Sequence, residues 1–262
     1  MKLIFSDVDN TLIEKGKSLS NEMISAIKHA TINDVEFIFC SGRPTYNLKQ
    51  IANSLLLQGI ELNYVAGFNG AEIINLNNNE TIINDGLSTK QVHEIIAVLK
   101  EVQVEYMIYD EEVIYGSDTE NEFIVFEALQ NDMKLNKLLD VSSSIKVLAV
   151  EDPKTSVEKY KLIKEKLKNY TVLMSTEFFI EITNNNVTKG HAMLKMIDIL
   201  DIPLVDVYTF GDAGNDFTLI EFAINGIAVG NATKEIKEIA CDVIDTVSNN
   251  GVAKYIMNKL GE

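Results

Sequence analysis

The stretch LIFSDVDNTL, residues 3–12, places two carboxylates directly after a short apolar run. The apolar residues at its start have the length and composition of a buried β-strand. Asp7 and Asp9 stand two residues apart beyond this strand, and Thr11 follows two positions later. Two carboxylates at the end of a buried strand either form an acidic turn or hold a positively charged group. The residues that follow the other strands decide between these alternatives, because a cation site needs ligands in addition to these two carboxylates.

The composition is typical of a globular protein. The chain has 262 residues, of which 46% are hydrophobic and 24% are charged, enough for one large domain or two ordinary ones. The net charge is −16 and no block of Lys or Arg is present, which argues against a nucleic-acid partner. No apolar run approaches the ~20 residues that span a bilayer, and the N-terminus lacks a signal-peptide pattern. We therefore expect a cytoplasmic protein that binds neither nucleic acid nor membranes and has no obligate protein partner.

Apolar strands alternate with helical patterns at both ends of the chain. VEFIFC, DVYTF and INGIAV follow the first strand as further continuously apolar segments. The predicted helices between and after them lie at about 20–31, 44–57, 189–200, 215–223, 233–240 and 251–260. Continuously apolar strands separated by helices indicate a parallel sheet that is covered on both faces. We predict an α/β core with a doubly wound, Rossmann-like parallel sheet.

The middle of the chain has a different pattern. Strand-like segments come in adjacent pairs there, at 104–116 and at 170–183, and helices are predicted at about 88–102, 119–132 and 154–168. Such pairing is typical of an α+β unit with an antiparallel sheet. The Asn-rich segments LNNNE and TNNNVT flank this part as linkers would. We predict a discontinuous core, residues 1–81 plus 188–262, with residues 82–187 inserted as a second, α+β domain.

Polar side chains follow each predicted core strand, at the end where open parallel sheets bind ligands. Ser-Gly-Arg, residues 41–43, follows the second strand. GDAGND, residues 211–216, follows the strand DVYTF, and Lys189 opens the helix before that strand. Together with the two carboxylates after the first strand, four distant stretches should therefore meet at one edge of the sheet.

These residue types suit phosphate chemistry assisted by a metal. Several carboxylates without a neighbouring His or Cys suit a hard cation such as Mg²⁺. Ser41, the backbone N–H groups around Gly42 and the Lys189 ammonium are donors for phosphate oxygens. The two cations offset the repulsion between a carboxylate and a phosphate, so an Asp could attack phosphorus and form an aspartyl-phosphate. A second carboxylate two residues away could exchange a proton with the leaving group and with water.

Four motifs in this order resemble those of the haloacid dehalogenase-like phosphatases. They are DVDNT (7–11), CSGR (40–43), VTKG (187–190) and GDAGND (211–216). The insertion between the second and third motifs resembles the C2-capped branch of that superfamily. GDAGND, VGNA (229–232) and NNGVA (249–253) are similar to its Cof-type sugar-phosphatase members. One departure is Asn10, where most members have Gly.

The resemblance implies a role for each matching residue. Asp7 would be the nucleophile and a Mg²⁺ ligand, and Asp9 the general acid/base, whose backbone carbonyl ligates the metal in relatives. Asp212 would be the third protein ligand, with Asp216 either a ligand or a partner of the ligands. The expected phosphate-binding residues are Val8, through its backbone N–H, and Ser41, Gly42, Lys189 and Asn215.

Two further residues are possible substrate contacts. Arg43 either contacts substrate or stacks on the start of the helix that follows it. Asn69, in the segment FNGA, either faces the site or serves only as a turn residue. The sequence leaves both alternatives open.

The resulting hypothesis is a Mg²⁺-dependent phosphatase that hydrolyses small phosphorylated metabolites, above all sugar phosphates, through an aspartyl-phosphate. The inserted domain, by the same resemblance, is expected to act as a cap that sets specificity. Two alternatives stay open. A sugar phosphomutase would pass the phosphoryl group to a second hydroxyl, and a regulator would bind a phosphometabolite without turnover.

Overall fold

The computed structural model describes residues 1–14, 16–110 and 112–259. The chain divides into two compact units, of which the first comprises Met1–Ile83 with Thr188–Glu262 and the second Asn84–Val187. Residue 260, where the last predicted helix ends, lies outside the described residues. In the described part of the chain, no helix has both the length and the apolar character needed to cross a membrane.

The strands are β1 (Lys2–Ser6), β2 (Val35–Cys40), β3 (Tyr64–Gly67), β4 (Glu72–Asn75), β5 (Thr81–Asn84), β6 (Glu105–Asp110), β7 (Val113–Gly116), β8 (Lys134–Lys137), β9 (Val147–Val150), β10 (Tyr170–Met174), β11 (Phe179–Asn184), β12 (Val207–Gly211), β13 (Asn225–Ala228) and β14 (Asp242–Val243). The helices are α1 (Asn21–Ile32), α2 (Thr45–Leu56), α3 (Thr89–Glu101), α4 (Glu122–Gln130), α5 (Ser156–Lys166), α6 (Lys189–Leu200), α7 (Phe217–Phe222), α8 (Lys234–Ile239) and α9 (Gly251–Lys259). Short 3₁₀ turns occupy Leu204–Asp206, Gly214–Asp216 and Val247–Asn249, and Phe68–Gly70 forms the turn between β3 and β4.

The first unit is built on an eight-stranded sheet with the order β14-β13-β12-β1-β2-β3-β4-β5. The strands from β14 to β3 pair in parallel, and β4 turns back antiparallel to β3. The predicted α/β fold with a parallel core sheet is therefore confirmed. The central position of β1 places the segment that follows it between the ends of β2 and β12.

Helices cover both faces of this sheet, so consecutive residues of its central strands are buried. On one face Ile4 of β1 belongs to a core cluster with buried residues of α1, α2 and α9. On the other face Leu3 and Phe5 pack with Ala192 and Met193 of α6. Continuous apolar character in β1 thus follows from its burial on two sides.

The second unit contains a six-stranded sheet with the order β10-β11-β9-β6-β7-β8. Its pairs are antiparallel except for β7 and β8, which run parallel. A core cluster joins one face of this sheet to α3 and α5. Helix α3 begins at a capping box, in which Ser88 and Gln91 satisfy each other's backbone N–H groups.

The Asn-rich segment LNNNE does not form the predicted linker. It lies between β4 and β5 and closes a tight turn, in which the Asn75 N–H donates to the Glu80 carbonyl at 2.9 Å. The sequence pattern had no apolar alternation strong enough to identify β5, whose residues are TIIN. Because β5 belongs to the sheet of the first unit, that unit extends to Ile83 rather than to residue 81.

Candidate active site

The carboxyl ends of the three central strands are level with one another. Ser6, the last residue of β1, is paired with Phe39 of β2 and with Phe210 of β12. The Asp7 N–H continues the ladder by donating to the Phe210 carbonyl at 2.9 Å. Residues that follow β1, β2 and β12 therefore share one edge of the sheet, where the sequence places its polar motifs.

A buried ammonium joins two carboxylates at this edge. Lys189 Nζ donates to Asp7 Oδ1 at 2.5 Å and to Asp216 Oδ1 at 2.6 Å. Lys189 and Asp216 are fully buried and Asp7 is 4% exposed. Charged groups buried this deeply are stable only when they are paired and hydrogen-bonded, and here the ammonium and the two carboxyl groups satisfy one another.

The start of α6 holds Lys189 in this position. The Thr188 hydroxyl caps the helix by accepting the His191 N–H. A Cβ added at Gly190 would lie 2.4 Å from the Thr218 carbonyl oxygen, so only glycine lets α6 approach the segment around α7 this closely. Lys189 thus supplies a long cationic side chain, and Gly190 permits the close helix contact that buries it.

The turn after β12 fixes the other two carboxylates. Asp216 Oδ2 accepts the backbone N–H groups of Asp212 at 2.9 Å and of Ala213 at 3.0 Å. Asp212 Oδ1 in turn accepts a hydrogen bond from the Thr11 hydroxyl at 3.2 Å. Thr11 therefore ties the first motif to the fourth, although the pattern alone indicated only its proximity to the carboxylates.

Carboxylate oxygens of Asp7, Asp212 and Asp216 lie within 4.8 Å of one another and could hold a metal ion. All three donors are oxygens, which hard divalent cations such as Mg²⁺ prefer. Burial raises the pKa of Asp7 to about 8 and that of Asp212 to about 6, with Asp216 adding to both shifts by repulsion. Negative charge is therefore crowded at this point, and a bound cation would relieve the repulsion. The residues fit a divalent metal.

The Lys189 ammonium remains charged despite its burial. Burial lowers the pKa of its ammonium, but the attraction of Asp216 and Asp7 outweighs burial and raises the pKa above its ordinary value. The site thus holds a permanent cation beside the carboxylate that the sequence indicates as the nucleophile.

The carboxylate of Asp9 lies outside the three-carboxylate cluster. Both of its oxygens accept from Arg43, with Nε donating to Oδ2 at 2.7 Å and Nη2 donating to Oδ1. Asp9 and Arg43 are each about half-buried. The sequence left open whether Arg43 contacts substrate or stacks on the start of the following helix. Neither alternative describes this contact, because the guanidinium binds an acidic residue of the site itself. A metal contact through the Asp9 backbone carbonyl stays a prediction.

Three predicted phosphate-binding residues, Ser41, Gly42 and Asn215, lie on neighbouring loops at the same edge. Ser41 is buried directly after β2, and its hydroxyl accepts the Arg43 N–H at 3.2 Å. Asn215 Nδ2 donates to Asn69 Oδ1 at 3.1 Å, and Gly42 lies beside the Asn69 amide. Asn69 therefore belongs with the other loops of the edge and is more than a local turn residue.

Val8 occupies the turn between the two carboxylates of the first motif. Its side chain is fully buried, and its carbonyl accepts the N–H groups of Leu12 and Ile13, each at 2.9 Å. This turn holds the segment from Asp7 to Leu12 against the end of the sheet. A role for the Val8 N–H in phosphate binding stays a prediction.

Asn231 is a residue of this edge to which the sequence assigned no function. Its Nδ2 donates to the Asn10 carbonyl at 2.8 Å, and its Oδ1 accepts the Val247 N–H at 2.9 Å. The side chain thus ties the first motif to two later loops. The sequence signal for Asn231 was the segment VGNA (229–232), which resembles the family but indicates no contact.

Known proteins resemble this chain over almost its full length. The family model for haloacid dehalogenase-like hydrolases matches residues 4–256. YxeH of Bacillus subtilis, which bears a provisional phosphatase designation, is 30% identical, with 97% of each chain covered. YwtE of Bacillus subtilis, a 5-amino-6-(5-phospho-D-ribitylamino)uracil phosphatase, is 28% identical, with 98% of this chain and 97% of YwtE covered.

A solved structure extends the comparison to the fold. A haloacid dehalogenase-like hydrolase from Bacteroides thetaiotaomicron has a TM-score of 0.88 and 25% sequence identity, with 98% of each chain covered. The family match covers the segments that carry all four motifs. The chain belongs to the haloacid dehalogenase-like hydrolases.

Proposed function

We propose that the protein is a Mg²⁺-dependent phosphatase that hydrolyses small phosphorylated metabolites through an aspartyl-phosphate on Asp7. The observation that carries this proposal is the buried contact of Asp7 with Lys189, beside the carboxylates of Asp212 and Asp216. A carboxylate that attacks a phosphate needs positive charge on both sides of the transferring group. Lys189 supplies one such charge, and the carboxylate cluster suits a divalent cation as the other.

The first half of the reaction transfers the phosphoryl group to the protein. A carboxylate oxygen of Asp7 attacks phosphorus as the ester P–O bond breaks, and Asp9 donates a proton to the leaving alkoxide. Asp212 and Asp216 would hold Mg²⁺ together with Asp7. When bound, the metal neutralises charge on the phosphoryl oxygens. Lys189 donates to a phosphoryl oxygen from the buried side.

The second half returns the protein to its starting state. Asp9, now a carboxylate, takes a proton from water as the water oxygen attacks phosphorus. The bond from phosphorus to Asp7 then breaks, and inorganic phosphate is released. Ser41 and the backbone around Gly42 would orient the phosphoryl group in both halves by hydrogen bonds to its oxygens.

One relative supports a proposal for the substrate class. YwtE acts on the phosphate ester of a ribityl chain, which is an open-chain polyol. A polyol phosphate and a sugar phosphate share the ester and the hydroxylated carbons next to it. We therefore propose phosphorylated sugars and polyols as the substrates.

The inserted domain predicted at residues 82–187 is proposed to set the choice among these substrates. Exchanging it for the corresponding domain of a relative should change the ranking of substrates and leave Mg²⁺ dependence intact. A chimera that loses metal dependence but keeps the original ranking would contradict this division of roles.

The test is phosphate release from a panel of sugar, polyol and nucleotide phosphates, with Mg²⁺ or with EDTA. Wild type and Asp7→Asn are compared, and trapped phosphoenzyme is located by mass spectrometry of peptides. We expect turnover that requires both Mg²⁺ and Asp7, with the trapped phosphoryl group on the peptide that contains Asp7. Isomerised substrate without free phosphate would instead indicate a mutase. Tight ligand binding by a folded protein without turnover or phosphoenzyme would indicate a regulator.

A further inference from the structure

The turn between β3 and β4 has an unusual backbone. Phe68, Asn69 and Gly70 all have positive φ, at 51°, 57° and 86°. L-residues rarely adopt this left-handed conformation, because it brings Cβ close to the following carbonyl oxygen, although Asn tolerates it best. Such a run persists only where the surroundings impose it, and it often marks a functional site.

The first set of contacts ties this turn to the loop after β2. The Phe68 N–H donates to the Arg43 carbonyl at 2.9 Å, and the Asn69 N–H donates to the Ser41 carbonyl at 2.8 Å. The left-handed backbone directs these two N–H groups at the loop. The turn therefore fixes the segment that carries Ser41 and Gly42.

The second set of contacts reaches α6. A Cβ added at Gly70 would lie 2.3 Å from the Cβ of Ala192 and 3.5 Å from the Thr188 carbonyl oxygen. The turn is thus packed directly on the first turn of the helix that begins with Lys189. Through Asn69 it also contacts Asn215, so it touches the segments that carry four of the five predicted phosphate-binding residues.

The hydrogen bond between the two amides has a definite direction. Asn215 Nδ2 donates and Asn69 Oδ1 accepts, which leaves the Nδ2 donor of Asn69 for another partner. A Cβ added at Gly42 would lie 3.4 Å from Asn69 Oδ1 and 3.6 Å from its Nδ2, so no side chain stands between the Gly42 backbone and this amide. An unprotonated phosphate oxygen accepts but does not donate, and this arrangement offers it an N–H group.

We propose that Asn69 is a further phosphate-binding residue, whose side-chain amide donates to a phosphate oxygen alongside the Gly42 backbone. The left-handed turn places this amide between the loop after β2 and Asn215. This inference rests on the proposed function, because it takes the phosphate to lie at this edge of the sheet.

The experiment separates the side chain from the backbone. Asn69→Gly keeps the left-handed conformation and removes the amide. Asn69→Asp keeps the shape and the acceptor but replaces the donor with a negative charge. Asn79 is the matched control, because it also has a positive φ, 59°, and lies in the exposed turn between β4 and β5. Asn79→Gly and Asn79→Asp therefore report the general effect of these changes.

The measurement is the affinity of the Mg²⁺-loaded protein for inorganic phosphate, determined by calorimetry, with the melting temperature recorded for each variant. We expect Asn69→Gly to bind phosphate about tenfold more weakly at an unchanged melting temperature, since one hydrogen bond to a charged group is lost. Asn69→Asp should bind more weakly still because its carboxylate repels the anion. Both Asn79 variants should bind as the wild type does.

Two results would overturn the inference in different ways. Wild-type affinity in Asn69→Gly, together with normal turnover, would show that the turn is purely structural and would leave the proposed function standing. A wild-type protein that neither binds phosphate nor releases it from any ester would overturn both proposals.

Discussion

Arg43 and Asp9 form a two-point ion pair, in which the guanidinium contacts both oxygens of the carboxylate. The pair holds Asp9 apart from Asp7, Asp212 and Asp216, which form a separate cluster. Each oxygen keeps a further lone pair that can carry a proton, so the pairing fixes the orientation of the carboxylate without preventing proton exchange. Arg43 therefore governs the position of the residue that we assign as the general acid/base.

Changing Asp9 or Arg43 should affect poor leaving groups most. Asp9→Asn should lower turnover of an alkyl phosphate by about 10²–10⁴-fold, since the alkoxide then departs without a proton. It should affect p-nitrophenyl phosphate much less, because that phenolate leaves without protonation. Arg43→Gln should show the same pattern with a smaller loss. The measurement is kcat for both esters at saturating Mg²⁺.

The matched control for this prediction is Arg43→Lys. Lysine keeps the positive charge but cannot contact both carboxylate oxygens with a planar fork. If the two-point contact orients Asp9, the lysine variant should resemble Arg43→Gln. Equal losses on the two esters in every variant would contradict a role of Arg43 that acts through Asp9.

Removing the buried ammonium should destabilise the protein. Lys189→Met leaves Asp7 and Asp216 buried without their common partner, and such a change costs about 3–5 kcal/mol. Adding Asp216→Asn should restore part of the lost free energy of unfolding, because one buried charge then disappears. Urea unfolding in EDTA measures both effects without interference from bound metal.

An exposed lysine provides the comparison. Lys234 is paired with Glu238 on the surface of α8, with its side chain 89% exposed. Lys234→Met should change the free energy of unfolding by less than about 0.5 kcal/mol. A loss in Lys189→Met as small as that in Lys234→Met would mean that the three buried groups do not depend on one another.

The positions of the four motifs could be predicted because they depend on strand order and strand ends. Continuous apolar runs identified β1, β2 and β12, and level carboxyl ends brought the polar residues that follow them to one edge. Strands with few apolar residues were missed. The strand β8, whose residues are KLNK, is mostly exposed and carries no periodic signal.

Contacts between side chains were beyond the sequence pattern. The pairing of Arg43 with Asp9 depends on the rotamers of both residues, which no spacing rule determines. The run of left-handed residues at the turn Phe68–Gly70 depends on the loop and the helix that hold it, which are distant in sequence. Asn231 was equally hidden, because its two partners lie in different loops.

Asn10 should be replaceable by glycine without loss of function. Its φ is 58°, so the turn requires the left-handed conformation that glycine and asparagine both tolerate. Asn10→Gly should change the free energy of unfolding by a few tenths of a kcal/mol and leave kcat unchanged. Asn10→Ala should cost about 1–2 kcal/mol, because alanine keeps the close approach of Cβ to the following carbonyl oxygen but lacks the polar side chain whose local hydrogen bonds offset it in asparagine. Chemical unfolding and initial rates test both expectations.

The contact with Asn231 offers a second test of the same turn. The Asn10 carbonyl accepts from the Asn231 side chain, and this contact does not depend on the side chain at position 10. Asn231→Ala should therefore weaken the turn in the wild type and in Asn10→Gly by equal amounts. Unequal losses would show that the Asn10 side chain itself contributes to the position of the first motif.

The stability of the metal-free protein should fall as the pH rises. Burial raises the folded-state pKa of Asp7 from 3.8 to about 8 and that of Asp212 from 3.8 to about 6. Between the unfolded and folded values the folded state binds more protons, so the free energy of unfolding decreases with pH. This stabilisation is fully present below about pH 4. It is lost as the pH rises through the folded-state pKa values, about 6 for Asp212 and about 8 for Asp7. Other groups add their own dependence, and Asp7→Asn isolates the contribution of Asp7.

Mg²⁺ should reverse this trend, because metal ligands must be deprotonated. Binding competes with the protons held by Asp7 and Asp212, so Mg²⁺ should raise the melting temperature more at about pH 8 than at about pH 6 and should release protons into a weak buffer. Asp7→Asn should flatten the dependence of stability on pH in EDTA and reduce the number of protons released. Equal stabilisation by Mg²⁺ at both pH values, with no proton release, would mean that the metal does not bind at these carboxylates.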